Sequence, residues 1–132
     1  MSDDDTPPGA AKYTPGQVLT AGVLYRRIYP QRTLFNPATR RPTSQVFDKG
    51  AAPHLSTSLQ ELTSPAKVLE GHPGFGLCEV DVTAVVAQGL TATYDPTSGG
   101  PAHVRLDGPL GKGVRRALAE SSRVLEDPIL TA

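Results

Sequence analysis

The sequence predicts an α+β fold: a small mixed or antiparallel sheet, one or two short helices, and an amphipathic helix near the C-terminal end. Three observations point there. Short β-rich runs recur between turn residues, and Gly and Pro number 13 each, which favours many turns and few long helices. The one sustained helical periodicity comes late in the chain. The inferred order is strands in runs with helices interspersed, which fits α+β better than a regularly alternating parallel sheet. A chain of 132 residues fits one domain.

The first strand is Gly22 to Tyr29, ended by Pro30. Leu24, Arg26 and Ile28 share one of its faces, and Val23, Tyr25, Arg27 and Tyr29 share the other. Each face therefore carries one arginine among apolar neighbours, and an arginine on the core side needs a fixed partner or ligand. Gln31 to Pro42 reads as a polar loop. Ser44 to Phe47 reads as a short strand, Lys49 to Pro53 as a turn, and His54 to Leu59 as another strand. Ser64-Pro65 reads as a helix start, because Ser caps well and Pro suits the first helical position; Gly71 stops that helix. Phe75 to Val82 alternates as a strand, and Thr83 to Gln88 reads as one or two helical turns ended by Gly89. Leu90 to Asp95 and Ala102 to Asp107 read as strands, separated by a loop from Thr97 to Pro101. Leu110, Val114, Ala117, Leu118, Ser121 and Leu125 fall at spacings of three and four, predicting a helix over 110–125. Ile129-Leu130 reads as a last short strand or a packing segment.

Residues 1–16 are rich in Asp, Thr, Pro and Gly and lack apolar periodicity, so they read as a disordered tail before a domain spanning 17–132. The acidic start and the absence of an apolar run of 18 residues give no secretion signal and no membrane span, so the expected location is the cytoplasm. The single cysteine, Cys78, excludes an internal disulfide and a thiolate zinc cluster. In a strand it reads as a small buried residue. Net charge is zero, yet from Thr6 to Phe47 there are six bases and no acid: Lys12, Arg26, Arg27, Arg32, Arg40 and Arg41. Such a segment either pairs with acids of the second half or attracts an anion. Arg26, Arg27, Arg40 and Arg41 are the candidate anion-binding residues.

Other chemistry is sparse. His54, His72 and His103 form no close metal-ligand spacing, and no metal is expected. His103 lies inside a strand with apolar neighbours, as a hydrogen-bonded sheet residue or a site residue. Gly108 to Gly113 lacks the spacing of a nucleotide P-loop, though it enters a helix. Glu79 and Asp81 stand two apart on a strand and share a face, dull if solvated and useful if they line a cleft.

Several motifs together resemble a family of small, uncharacterised bacterial proteins. They are Leu24-Tyr25-Arg26-Arg27-Ile28, Arg41-Pro42-Thr43-Ser44-Gln45-Val46-Phe47, Leu55-Ser56, Gly74-Phe75-Gly76 and Pro101-Ala102-His103-Val104, with a Pro-x-x-Val-Leu at 65–69. That resemblance brings no activity, but it singles out Arg26, Arg27, Ser44, Phe47, Ser56 and His103. A looser pattern, an arginine on an early strand followed by Ser56-Thr57-Ser58, resembles the start of the ADP-ribosyltransferase fold. It implies that Arg26 or Arg27 holds a phosphate of NAD, that the serine strand shapes the nicotinamide pocket, and that Glu79 orients the ribose. The usual Glu-x-Glu is Glu79-Val80-Asp81 here.

The expectation is therefore an accessory domain, not an enzyme, that binds a partner protein or a small anion and needs no cofactor. The alternative is an NAD-consuming ADP-ribosyltransferase-like enzyme with catalytic candidates Arg26, Arg27, Ser56, Ser58, Glu79 and His103. A nucleic-acid-binding module is a third reading. An enzyme requires those candidates to converge on one concave pocket.

Overall fold

The computed structural model describes residues 12–130, so residues 1–11 of the expected tail lie outside it. The elements in chain order are β1 (Val23–Ile28), β2 (Phe35–Asn36), β3 (Arg41–Pro42), β4 (Leu55–Leu59), α1 (Pro65–Leu69), β5 (Gly76–Asp81), α2 (Val82–Ala87), β6 (Thr91–Tyr94), α3 (Pro96–Gly99), β7 (His103–Asp107), α4 (Lys112–Ser121) and β8 (Arg123–Glu126). Two 3-10 turns, Ser44–Phe47 and Gln60–Leu62, flank β4. The fold is α+β. Six strands form one sheet in the order β6-β7-β4-β1-β5-β8, every neighbouring pair antiparallel, and β2 and β3 form a separate small hairpin.

The alternation along β1 decides which face is core. Leu24 and Ile28 are fully buried and join Leu55, Leu59, Val80, Val104 and Leu106 on one side of the sheet. Helices α2 and α4 and the Ser44–Phe47 turn supply the other half of this core through Val85, Leu118 and Phe47. Each of these side chains contributes about 1.5–3 kcal/mol by leaving water. The opposite face is only partly covered. There Tyr25 and Leu77 pack under Val68 of α1. Helix α1 starts as its sequence implies, with Pro65 in the first turn and the Ser64 hydroxyl accepting from the Lys67 N–H, a cap worth about 1 kcal/mol. Gly71, with φ +77°, turns the chain after it.

Several boundaries differ from the sequence reading. Ser44 to Phe47 is a 3-10 turn and not a strand, since the Thr43 hydroxyl caps it and only this turn buries the adjacent Val46 and Phe47 together. The Gln31 to Pro42 segment is not all loop: it holds the β2–β3 hairpin, anchored by buried Phe35. The Thr97 to Pro101 loop begins inside the helical turn α3. The last helix stops at Ser121. The Ser122 hydroxyl and N–H both return to the Ala119 carbonyl, and Arg123 then opens β8 along β5. Leu125 matches the helical period but is half exposed on that strand. Ile129 and Leu130 add no strand; Ile129 donates its N–H to Gly74.

Residues 12–16, read from composition as tail, are tied to the sheet. Lys12 and the Tyr13 hydroxyl both reach Glu61, Tyr13 packs on Tyr94, and the Gly16 N–H donates to the Tyr94 carbonyl. Among the described residues, no helix is long and apolar enough to cross a membrane.

Candidate functional site: a cleft where the sheet splits

The central strand β1 pairs with β5 through six residue pairs, Val23↔Asp81 to Ile28↔Gly76. With β4 it pairs only at Leu24↔Leu59 and Tyr25↔Ser58. Beyond Tyr25 the two strands part, while β4 stays paired to β7 from Ser58↔His103 to Leu55↔Leu106. A split in the middle of a sheet leaves backbone acceptors without ladder partners, which is costly unless another donor reaches them.

Arg26 is that donor. Its Nε–H donates to the Val46 carbonyl at 2.8 Å and its Nη1 to the Ser56 carbonyl, also at 2.8 Å. Burial lowers its pKa from the ordinary arginine value; arginine nonetheless keeps its charge in proteins. The fixed partner expected for a core-side arginine is thus a pair of carbonyl oxygens and no acid. Arg27 points to the other face, where its Nη1 donates to the Val68 carbonyl at 3.0 Å. The residue remains exposed.

On the outer face the split opens a cavity of about 220 Å³. Arg26 and Arg27 of β1, Ser56 and Ser58 of β4, Gly99 of α3 and His103 of β7 all line it. Tyr29 also lines it, is 53% exposed, and borders a second depression that shares Arg26 and Arg27 and is lined by Gln45 and Lys49 as well. His103 is buried. Its Nδ1 lies 2.9 Å from the Asp95 carbonyl oxygen and its Nε2 lies 3.1 Å from the Ser56 hydroxyl. Asp95 also brings a carboxylate oxygen to 3.9 Å from Nδ1, and Arg105 sits 3.5 Å from that same oxygen.

The cleft therefore collects Arg26, Arg27, Ser56, Ser58 and His103, and leaves out three other candidates. Glu79 stands opposite Tyr25 on β5, one strand further from β4. Its carboxylate accepts from Arg123 Nε at 2.9 Å, and Asp81 accepts from Arg123 Nη2 at 2.9 Å. Those bonds, Asp81 first, raise the Arg123 pKa. Glu79 and Asp81 are thus a clamp on β8 and not a cleft pair. Arg40 pairs with Asp127 on the surface, and Arg41 donates to the Ala119 and Glu120 carbonyls at the end of α4. Of the four arginines proposed for an anion, two reach the cleft and two are structural.

The other histidines and the cysteine are separate from this arrangement in different degrees. The His54 ring lies 5.6 Å from that of His103, whereas His72 packs against Phe75. Among the described residues, no group of three His, Cys, Asp or Glu is placed to hold a metal ion. Cys78 is fully buried, and burial pushes its thiol up to about 12. Since the thiolate is the reactive form, iodoacetamide at pH 8 is expected to leave Cys78 unmodified in the folded protein. Modification at the rate of an exposed cysteine, measured by intact mass, would contradict that placement.

Sequence reasoning missed Asp95 and Gly99. Asp95 reads as the end of a strand before Pro96, and nothing local shows that its carbonyl turns toward His103. Gly99 carries a faint signal in the Gly99-Gly100 pair. A Cβ at Gly99 would lie 2.7 Å from two carbon atoms of the His103 ring, so only glycine lets α3 pack flat against the imidazole. Comparison of the chain with protein-family models, curated proteins and solved structures returned no match.

Proposed function

We propose that the protein binds a small phosphate-bearing ligand in the cleft between β1 and β4. The observation that carries this reading is the convergence of Arg27, Ser56, Ser58 and His103, with half-buried Arg26 beside them, on one cavity of about 220 Å³. A guanidinium beside hydroxyl groups suits a phosphate oxygen cluster. The cavity is smaller than the ~300–1,000 Å³ usual for drug-sized ligands. It suits a phosphate or pyrophosphate group, with the rest of the ligand lying over Tyr29.

Thermal unfolding with inorganic pyrophosphate tests this. The wild type is expected to gain several degrees at a concentration 100-fold above the dissociation constant, because saturating ligand adds about 2.7 kcal/mol. Arg27→Gln is expected to lose most of the gain. An equal gain in Arg27→Gln, or no gain in the wild type, would sink the reading.

One observation favours NAD as the ligand: a β1 arginine bonds directly to the first serine of Ser56-Thr57-Ser58. The carboxylate assigned to the ribose, Glu79, is held instead by Arg123. Binding of NAD without turnover follows from that arrangement. Release of nicotinamide on incubation would establish the ADP-ribosyltransferase-like reading in its place.

A further inference from the structure

We infer that Ser56 is a nucleophile activated by His103, and that the cleft is built for acyl transfer from esters bearing an anionic group. The nucleophile stands on its own geometry; the anionic preference rests on the ligand reading above. The Asp95 carbonyl oxygen can only accept, so Nδ1, 2.9 Å away, carries the ring proton. In the neutral imidazole Nε2 then holds the lone pair, and it faces the Ser56 hydroxyl at 3.1 Å. The Ser56 O–H is thus the donor in that bond, which is the arrangement that activates a serine. Gly99 closes on the ring and fixes its plane. The Asp95 carboxylate, 3.9 Å from Nδ1, supplies negative charge on the side where an imidazolium would form.

The electrophile's side of the cleft is positive. Arg26 Nη1 donates to the carbonyl of Ser56 itself, so a fixed guanidinium lies beside the attacking residue. Charge placed before the reaction stabilises an oxyanion without reorganisation. Arg27 lines the same cavity and supplies the second cation, for a carboxylate or phosphate elsewhere on the substrate. In the step, Ser56 Oγ bonds to the acyl carbon while its proton passes to His103 Nε2. The tetrahedral intermediate expels the alcohol, which takes that proton from Nε2. Water then attacks the acyl-serine, gives a proton to Nε2, and releases the acid as Ser56 Oγ regains the proton. No oxidant, metal or cofactor enters the balance.

The test uses the whole chain and diisopropyl fluorophosphate, a neutral reagent that bonds to an activated serine and expels fluoride. Peptide mass mapping is expected to find the adduct on Ser56, with His103→Gln slowing its formation at least 100-fold. No adduct at Ser56 in the folded wild type, or an equal rate in folded His103→Gln, overturns the proposal. If His103→Gln does not fold, Ser56→Cys decides. A thiol beside the imidazole should react with iodoacetamide at pH 6.5 at least ten times faster than glutathione, and a rate no faster than glutathione overturns it. For substrate class, mono-p-nitrophenyl succinate is expected to be cleaved at least tenfold faster than p-nitrophenyl acetate, with that preference lost in Arg27→Gln. Equal rates would overturn the anionic preference. Pyrophosphate stabilisation is read separately, so a failed ligand reading and a failed nucleophile give different results.

Discussion

Arg26→Met is expected to lower stability by about 1–3 kcal/mol, or several degrees in melting temperature for a chain of this size. The reason is an asymmetry in hydrogen bonding. A guanidinium that is removed takes two bonds with it, and the Val46 and Ser56 carbonyls it served face a gap that no strand fills. The part-buried Val46 carbonyl, left unpaired, costs about 1–3 kcal/mol, whereas water can reach the exposed Ser56 carbonyl and replace much of its lost bond. Arg27→Met provides the internal contrast. Arg27 is exposed and makes one backbone bond, to Val68, so its loss is expected to cost about 1 kcal/mol or less. Equilibrium urea unfolding separates the two. Arg26→Met within about 0.5 kcal/mol of wild type would mean that the split does not depend on that side chain.

Gly99→Ala is expected to disable Ser56 without touching either cleft arginine. The added methyl would sit 2.7 Å from the imidazole, closer than carbon atoms approach. If the His103 ring shifts, the 3.1 Å contact with Ser56 breaks; if α3 lifts away, the ring loses the wall that fixes its plane. Overpacking of this kind costs about 1–3 kcal/mol in stability. The larger effect is on reactivity. Removing a positioned base slows such a step by about 10²–10⁴-fold, so labelling by diisopropyl fluorophosphate should fall toward that of His103→Gln. A folded Gly99→Ala protein labelled at the wild-type rate would show that packing against α3 does not set the reactivity of Ser56.

The legible parts of the fold are those written by local rules. Gly22 to Pro30 reads as a strand because apolar residues alternate and proline ends them, and the sheet places β1 there. Ser64-Pro65 announces α1, and Gly71 and Gly89 close α1 and α2 with positive φ. The misread parts are those where two periods fit. Val46-Phe47 suits a strand or a 3-10 turn, and packing against α4 selects the turn. Leu125 satisfies a helical stripe, but Arg123 finds Glu79 and Asp81 only if the chain leaves the helix after Ser121.

The site was legible in its parts and not in its assembly. The β1 sequence shows that an arginine on the core side needs a partner. It does not show that the partner is the backbone of two distant segments, residues 46 and 56. Ser56 and His103 stand out as residue types, yet their meeting depends on the β4–β7 register, a long-range pairing. A different pairing, β1 with β5, puts Glu79 opposite Tyr25 and away from β4. A reader of one dimension had no means to separate it from the cleft residues.

The central claim, that the split between β1 and β4 is a ligand site, is tested most directly by titrating the ¹⁵N-labelled protein with pyrophosphate and following amide shifts. Saturable changes confined to Arg26 to Tyr29, Ser56 to Ser58, and the Gly99 to His103 segment are expected. Changes centred on the surface arginine Arg40, or none at millimolar pyrophosphate, would contradict it.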